Sequence, residues 1–299
     1  MSSAEAFPVD MQPSPKGLLE KLGATLPIAL TAIATAFAGL STSEMSRAMY
    51  WRSAAAQDQA KSNDQWSLAA HKRDRAIMMQ TSALQLRPAE VAPPNAPAPG
   101  DDSFGPPGPA HDVAREWIAR GGPPPQTFPA IDDTAIVAVL DANREGQPEA
   151  ALLRIARDVK PIKLEEAIDR ATGELKRIDV EWQPVVDLLN RRLAEVTASR
   201  DRAQQANHLE VEQRRYRIEA GLNQQLGHLY EVRVRTSTVQ AERHRVRSDY
   251  FFYALLVAQA GAALGAMALA RRRRSALWLM AGIVGLVSVG FGAYIYLSM

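Results

Sequence analysis

Two uncharged runs, residues 250–270 and 275–298, are separated by four consecutive arginines, Arg271, Arg272, Arg273 and Arg274. This arrangement limits the fold more than any other part of the chain. Each run is long enough to cross roughly 30 Å of hydrocarbon at about 1.5 Å per helical residue. Lipid offers no partner to a free backbone amide, so a spanning run of this kind must be helical. Tyr250, Phe251, Phe252 and Tyr253 stand near the end of the first run; Trp278, Tyr294 and Tyr296 stand near the ends of the second. Such rings suit headgroup depth. The two runs read as a membrane hairpin turned by the arginines. A third uncharged run, residues 22–43, also meets the length criterion, with Pro27 near its start where a missing N–H is tolerated. Its alternatives are a buried core helix and a cleaved leader. Lys16 and Lys21 precede it, and Ala36-Phe37-Ala38 has the small-x-small form of a cleavage site.

Small residues punctuate the hairpin. Gly261 and Gly265 are spaced as GxxxG, and Ala281, Gly285, Ser288 and Gly292 share one helical face. Small side chains let helices approach closely in lipid. The seams join the segments to one another, with self-association as the sharper alternative. No ionisable residue interrupts any of the three runs, which argues against an ion-coupled pathway through them.

Short basic turns remain in the cytoplasm. The Arg271–Arg274 turn and Lys16 and Lys21 therefore predict an extracytoplasmic segment from Glu44 to Asp249. The membrane-proximal ends of that segment carry opposing charges: Arg47, Arg52, Arg233, Arg235, Arg243, Arg245 and Arg247. Charges in long loops weigh less, so the first topology is favoured. The arginines before Tyr250 could also meet acidic headgroups, at about 1 kcal/mol each.

Residues 1–21 form a tail, and residues 44–87 contain neither Gly nor Pro until Pro88, so they should continue the first membrane helix. Met45, Met49, Ala56, Gln59, Asn63, Trp66, Ala70, Ile77 and Leu84 recur at steps of three, four and seven, predicting a coiled-coil-like seam with polar members. The candidate seam residues are Gln59, Asn63, Asp64, Gln65 and Trp66. Polar residues there would set register, and the Trp66 indole N–H would need a partner. Residues 88–129 hold twelve of the 19 prolines and read as a disordered insertion with a short helical piece around 111–120. Residues 130–183 should form short packed helices, the first through Ala135–Leu140 capped by Asp132 or Asp133, with Gly146 and Pro148 punctuating before the second; Ala135–Leu140 is also the only short β-like run. Pro184 should kink this part or start a long returning helix over 184–249. Such long helices, one leaving and one returning, would be antiparallel neighbours in a stalk. The fold class is all-α: an integral membrane protein with three transmembrane helices and a long helical stalk.

The chemistry is sparse. With no cysteine, disulfides and thiolate catalysis are excluded. The five histidines, His71, His111, His208, His228 and His244, fall in no metal-ligand spacing. There is no P-loop, nucleophile elbow or carboxylate pair, so no cofactor, metal or catalytic residue is expected. A net charge of +2 provides no general field for nucleic acid.

Asn63-Asp64-Gln65-Trp66 followed by Lys72, and a later hairpin with Arg271–Arg274 and Leu277-Trp278 at its turn, resemble the bacterial membrane-protein family known as domain of unknown function 4337. The likeness covers residues 22–86 and 185–298. The proline-rich segment departs from the family pattern as an insertion. The resemblance implies an uncleaved first segment and supplies no activity. The expectation is a non-enzymatic scaffold or interaction protein of the bacterial inner membrane, its large segment periplasmic. Its partners would be the lipid bilayer and a second copy or another membrane protein, and not nucleic acid. The alternative is an oligomeric accessory of envelope assembly or transport, similar in outline to coiled-coil regulators of polysaccharide export.

Overall fold

The structure is a computed structural model that describes residues 18–87, 108–124, 126, 129–199, 202–270 and 276–298. All secondary structure among them is helical: α1 Leu18–Leu86, α2 Pro109–Arg120, α3 Thr134–Arg144, α4 Glu149–Ala156, α5 Pro161–Ser199, α6 Arg202–Ala270 and α7 Ala276–Ser298. Three of these, α1, α6 and α7, are long and apolar enough to cross a membrane. The Arg271–Arg274 turn and most of the proline-rich stretch lie outside the described residues. The chain divides into two compact units, one of residues 1–51 and 240–299 and the other of residues 52–239.

On α1 the buried line is not the expected one. Ala34, Ser41, Ala48, Ala55, Ser62, Ala69, Ala76 and Ala83 recur every seven residues, and all but the half-buried Ser41 are buried. Met45, Met49, Ile77 and Leu84, placed in the seam by sequence periodicity, face outward at 41, 57, 53 and 62% exposure. Small residues win the inward face because they let two backbones come close, whereas long side chains would hold them apart. Helix α6 answers with Ala206, Ala220, Gly227, Ala241 and Ser248, also buried and also at multiples of seven.

In the first unit α1 and α6 run antiparallel, with Phe37 stacked on Phe251 at 6.3 Å between centroids. Ser41 Oγ donates to Ser248 O at 3.0 Å, and Ser248 Oγ donates to Ser41 O at 2.9 Å. Two carbonyls gain a second bond this way in a region with few other donors. Helix α7 closes the unit: Ser288 Oγ donates to Ala254 O at 2.9 Å, and Ile295 joins the core of Ala34, Phe37, Phe251, Ala254 and Ala258. The glycines are spent inside. A Cβ at Gly261 would stand 3.2 Å from Leu30 and Val284, one at Gly265 3.1 Å from Pro27, and one at Gly285 2.6 Å from Leu30. Pro27, expected near a helix start, lies inside α1. Its ring seats against Gly265, the one side-chain type that leaves it room.

The second unit has two clusters of apolar residues. Ile136 and Val139 of α3, Ala156 of α4, Leu164, Ile168 and Ala171 of α5, and Leu226, Leu229 and Val232 of α6 make one. Ala114 and Trp117 of α2, Ile178, Trp182, Val185 and Leu189 of α5, and Val211 and Leu222 of α6 make the other. The helical piece expected around 111–120 is α2, whose Trp117 is 2% exposed and meets Trp182 edge-on at 5.2 Å. Its exit uses Gly121 at φ 71; the Gly121 N–H donates to the Ile118 carbonyl and the Gly122 N–H to that of Trp117. The helix expected through Ala135–Leu140 is part of α3, begun by the Asp133 carboxylate, which accepts from the backbone N–H groups of Ala135 and Ile136. Pro184 starts no helix: α5 passes through it to Ser199. The carbonyl it fails to bond belongs to Val180, 75% exposed, so water can take the bond while Trp182, Val185 and Leu189 hold the helix in the core.

A Cβ at Gly292 would overlap the Phe37 ring, whereas Gly39 has open space around it. Gly292→Ala is therefore expected to cost about 1–3 kcal/mol of stability. Gly39→Ala should cost nothing. Thermal unfolding of the detergent-solubilised chain, followed by circular dichroism, compares the two.

Candidate functional site

The densest polar arrangement surrounds Glu231 in the second unit, where α1, α3, α4 and α6 each send in a side chain. The approach is set by Ser62, whose hydroxyl donates to the carbonyl of Gly227 at 3.1 Å. One turn on, Trp66 lies over the same glycine: a Cβ on Gly227 would stand 3.0 Å from the indole nitrogen. Trp66 then donates its N–H to Glu231 Oε1 at 2.9 Å and meets the His228 ring edge-on at 4.8 Å. The second carboxylate oxygen accepts from Asn143 Nδ2 at 3.1 Å, with Arg235 at 3.7 Å and His228 at 3.8 Å. Arg235 also reaches Glu149 at 3.2 Å and donates to Asn143 Oδ1 at 3.1 Å. Burial alone would raise the Glu231 carboxyl. The nearby His228, the Trp66 hydrogen bond and the Arg235 charge outweigh it and hold the group below the usual carboxylate range.

A second ion-pair network lies elsewhere on the α1–α6 seam of the same unit. Arg215 pairs with Glu212 at 2.6 Å and Glu219 at 2.8 Å, and its guanidinium lies 4.2 Å from the Tyr216 ring centroid. Lys72 of α1 joins Glu219 at 3.0 Å. Burial pushes the nearby Asp179 carboxyl up, with Lys72 acting against it and Glu219 with it. Asp58 of α1 holds Arg233 of α6 at 3.2 Å, and Arg87 pairs with Glu210. Within the first unit Glu44, 8% exposed, meets His244 Nδ1 at 2.6 Å.

The predicted seam residues divide. Trp66 makes the contacts just described, as does Lys72 of the family-like stretch. Gln65 is half-buried, with a side-chain oxygen that lacks a hydrogen bond. Gln59, Asn63 and Asp64 are exposed, and Gln59 Nε2 donates to Asn63 Oδ1 at 3.0 Å on the same helix. Asn63 and Gln59 thus satisfy each other on the outer face and fix no register with α6. Periodicity missed Asp58, Glu219, Glu231 and Arg235, because charged residues read as solvated faces, and it missed Asn143, which lies on another helix. The seven-residue Ala/Ser line of α1 could have found Asp58, since it sets which α1 residues flank the seam.

The carboxylates of the Glu231 group are engaged by donors, and among the described residues no three His, Asp or Glu side chains gather as metal ligands. His208, 4% exposed, is pushed down to about 4 by burial and by Arg192, so it is neutral near pH 7. A depression lined by Asp132, Lys163, Glu166 and Arg170 neutralises its own charges through the Arg170–Asp132 and Lys163–Glu166 pairs, at 2.8 and 2.9 Å.

No protein-family model, no curated protein and no solved structure matches the chain. Trp66→Phe keeps the ring and removes the N–H from a half-buried carboxylate; a loss of about 1–3 kcal/mol is expected. Asn63→Ala should stay within about 0.5 kcal/mol of the parent. Denaturant unfolding of the full chain separates the two.

Proposed function

We propose that the chain is a non-enzymatic scaffold of the bacterial inner membrane, akin to the family of unknown function that its Asn63–Trp66 stretch and arginine turn resemble. In this reading α1, α6 and α7 anchor it, and the 52–239 unit lies outside the cytoplasm as an interaction body.

One observation carries the anchoring. In the first unit many inward residues are small, such as Ala254, Ala258, Gly285 and Ser288, and the buried large ones, Leu30, Phe37, Phe251 and Ile295, are outnumbered by outward ones that include Ile28, Leu256, Leu279, Ile283, Leu286 and Val287, at 46–75% exposure. A water-soluble bundle would bury the large apolar side chains and show polar ones. The inverse pattern suits lipid, where association rests on close packing. The scaffold part of the reading is supported by the second unit, whose buried charges are matched into helix-to-helix clasps. The side is argued from the short run Arg271–Arg274, which the positive-inside bias holds in the cytoplasm.

Because the chain has no cysteine, one thiol introduced at the exposed Gln147 reports on this unit alone. A membrane-impermeant maleimide should label Gln147→Cys in cells whose outer membrane is permeabilised and inner membrane intact. Labelling that requires inner-membrane lysis would reverse the orientation, and recovery of the chain in the carbonate wash would remove the anchoring.

A further inference from the structure

We infer that the chain pairs with a second copy of itself inside the bilayer, through the face of α6 that carries Gln259. This rests on the membrane reading above. Gln259 is the one amide in the uncharged run 250–270, nine residues after Tyr250 and eleven before Ala270, which puts it at mid-span. It is exposed and has no hydrogen-bond partner among the described residues. In water an exposed glutamine needs no explanation. In hydrocarbon its donors and acceptor have nothing to bond, and transfer of an unpaired amide there costs several kcal/mol.

The surface around Gln259 points to the occupant. Ala263, Ala266 and Ala270 follow it at i+4, i+7 and i+11, all exposed, so beyond Leu256 the line through Gln259 carries only alanine, with Met267 and Leu269 at its flanks. Helix α7 differs: its outward residues include Leu279 at 68%, Ile283 at 52% and Leu286 at 75% exposure, the bulky surface expected against lipid tails. An alanine face lets another backbone approach to close-packing distance. The Gly261–Gly265 pair does not serve this purpose, since it is covered by Leu30, Val284 and Pro27 of the same chain.

A second copy fits this face better than an unrelated helix. A primary amide is donor and acceptor at once, so two Gln259 side chains facing each other across a twofold axis satisfy one another. Copies inserted in the same sense through one bilayer bring Gln259 to the same depth. The contact is isologous and closes at two copies.

Single-cysteine chains in native membranes test this, with copper phenanthroline as oxidant. Ala266→Cys is expected to give a disulfide-linked dimer, and Leu286→Cys on the α7 face is expected to remain monomeric. Gln259→Leu should weaken dimerisation, measured for the full chain in detergent, by roughly three- to twentyfold, whereas Gln259→Asn should restore most of it. Three results would overturn the inference: a monomeric Ala266→Cys chain in carbonate-washed membranes that still hold it, equal crosslinking at both faces, or unchanged association of Gln259→Leu. Only the release of the chain by carbonate would remove the membrane reading along with it.

Discussion

The close approach of α1 to α6 is the constraint on which the other contacts depend. Nothing larger than alanine or serine occupies the seven-residue line from Ala34 to Ala83 on α1. With the backbones that near, side chains flanking the line reach the opposite helix directly. In the second unit this gives Lys72 to Glu219, Asp58 to Arg233 and Trp66 to Glu231, at 2.9–3.2 Å. In the first it gives the reciprocal Ser41–Ser248 bonds and the Glu44–His244 contact. A leucine in the line would separate the helices and lengthen every one of these bonds.

The two units use this device with different driving forces. In the second, the seam itself buries little apolar area, and the remainder comes from the clusters that α2 to α5 build against α6, with Trp117, Ile178 and Leu229 at their centres. Burial at about 25 cal/mol per Å² makes those clusters the main source of stability in water. Charged clasps add order more than energy, because each partner gives up hydration. In the first unit, taken as a membrane bundle, the hydrophobic term is absent between helices, and packing at Gly261, Gly285 and Gly292 with the Ser288–Ala254 bond carries association. A glutamine left on the outside of such a bundle then asks for a partner.

What could be read from the sequence follows from which signals are local. The three apolar runs were legible, since length and lack of charge are properties of a segment alone. The Asp133 cap and the Gly146 stop were legible for the same reason. The α1 seam was misread because the large residues Met45, Met49, Ile77 and Leu84 have a helical period of their own and outweigh alanines on any hydrophobicity scale. Pro184 was misread as a boundary because its cost depends on which side of the helix loses the bond, and the solvent side is the tolerant one. The Glu231 group could not be read at all: Trp66, Asn143 and Arg235 are brought together by four helices, and no spacing along the chain records that. Within the Asn63–Trp66 stretch, the tryptophan was correctly marked as needing a bond, and its partner emerged only from the fold.

The antiparallel seam between α1 and α6 is the central claim, and the Ser41–Ser248 contact tests it most directly. Their hydroxyl oxygens are 3.1 Å apart, and the chain has no cysteine of its own to compete for a disulfide. A Ser41→Cys, Ser248→Cys double variant should close an intramolecular disulfide on mild oxidation, seen as a loss of both free thiols and faster gel migration without reductant. If that pair stays reduced while Met45→Cys with Ser248→Cys closes instead, the helices meet through the outer stripe, and the small-residue seam is wrong.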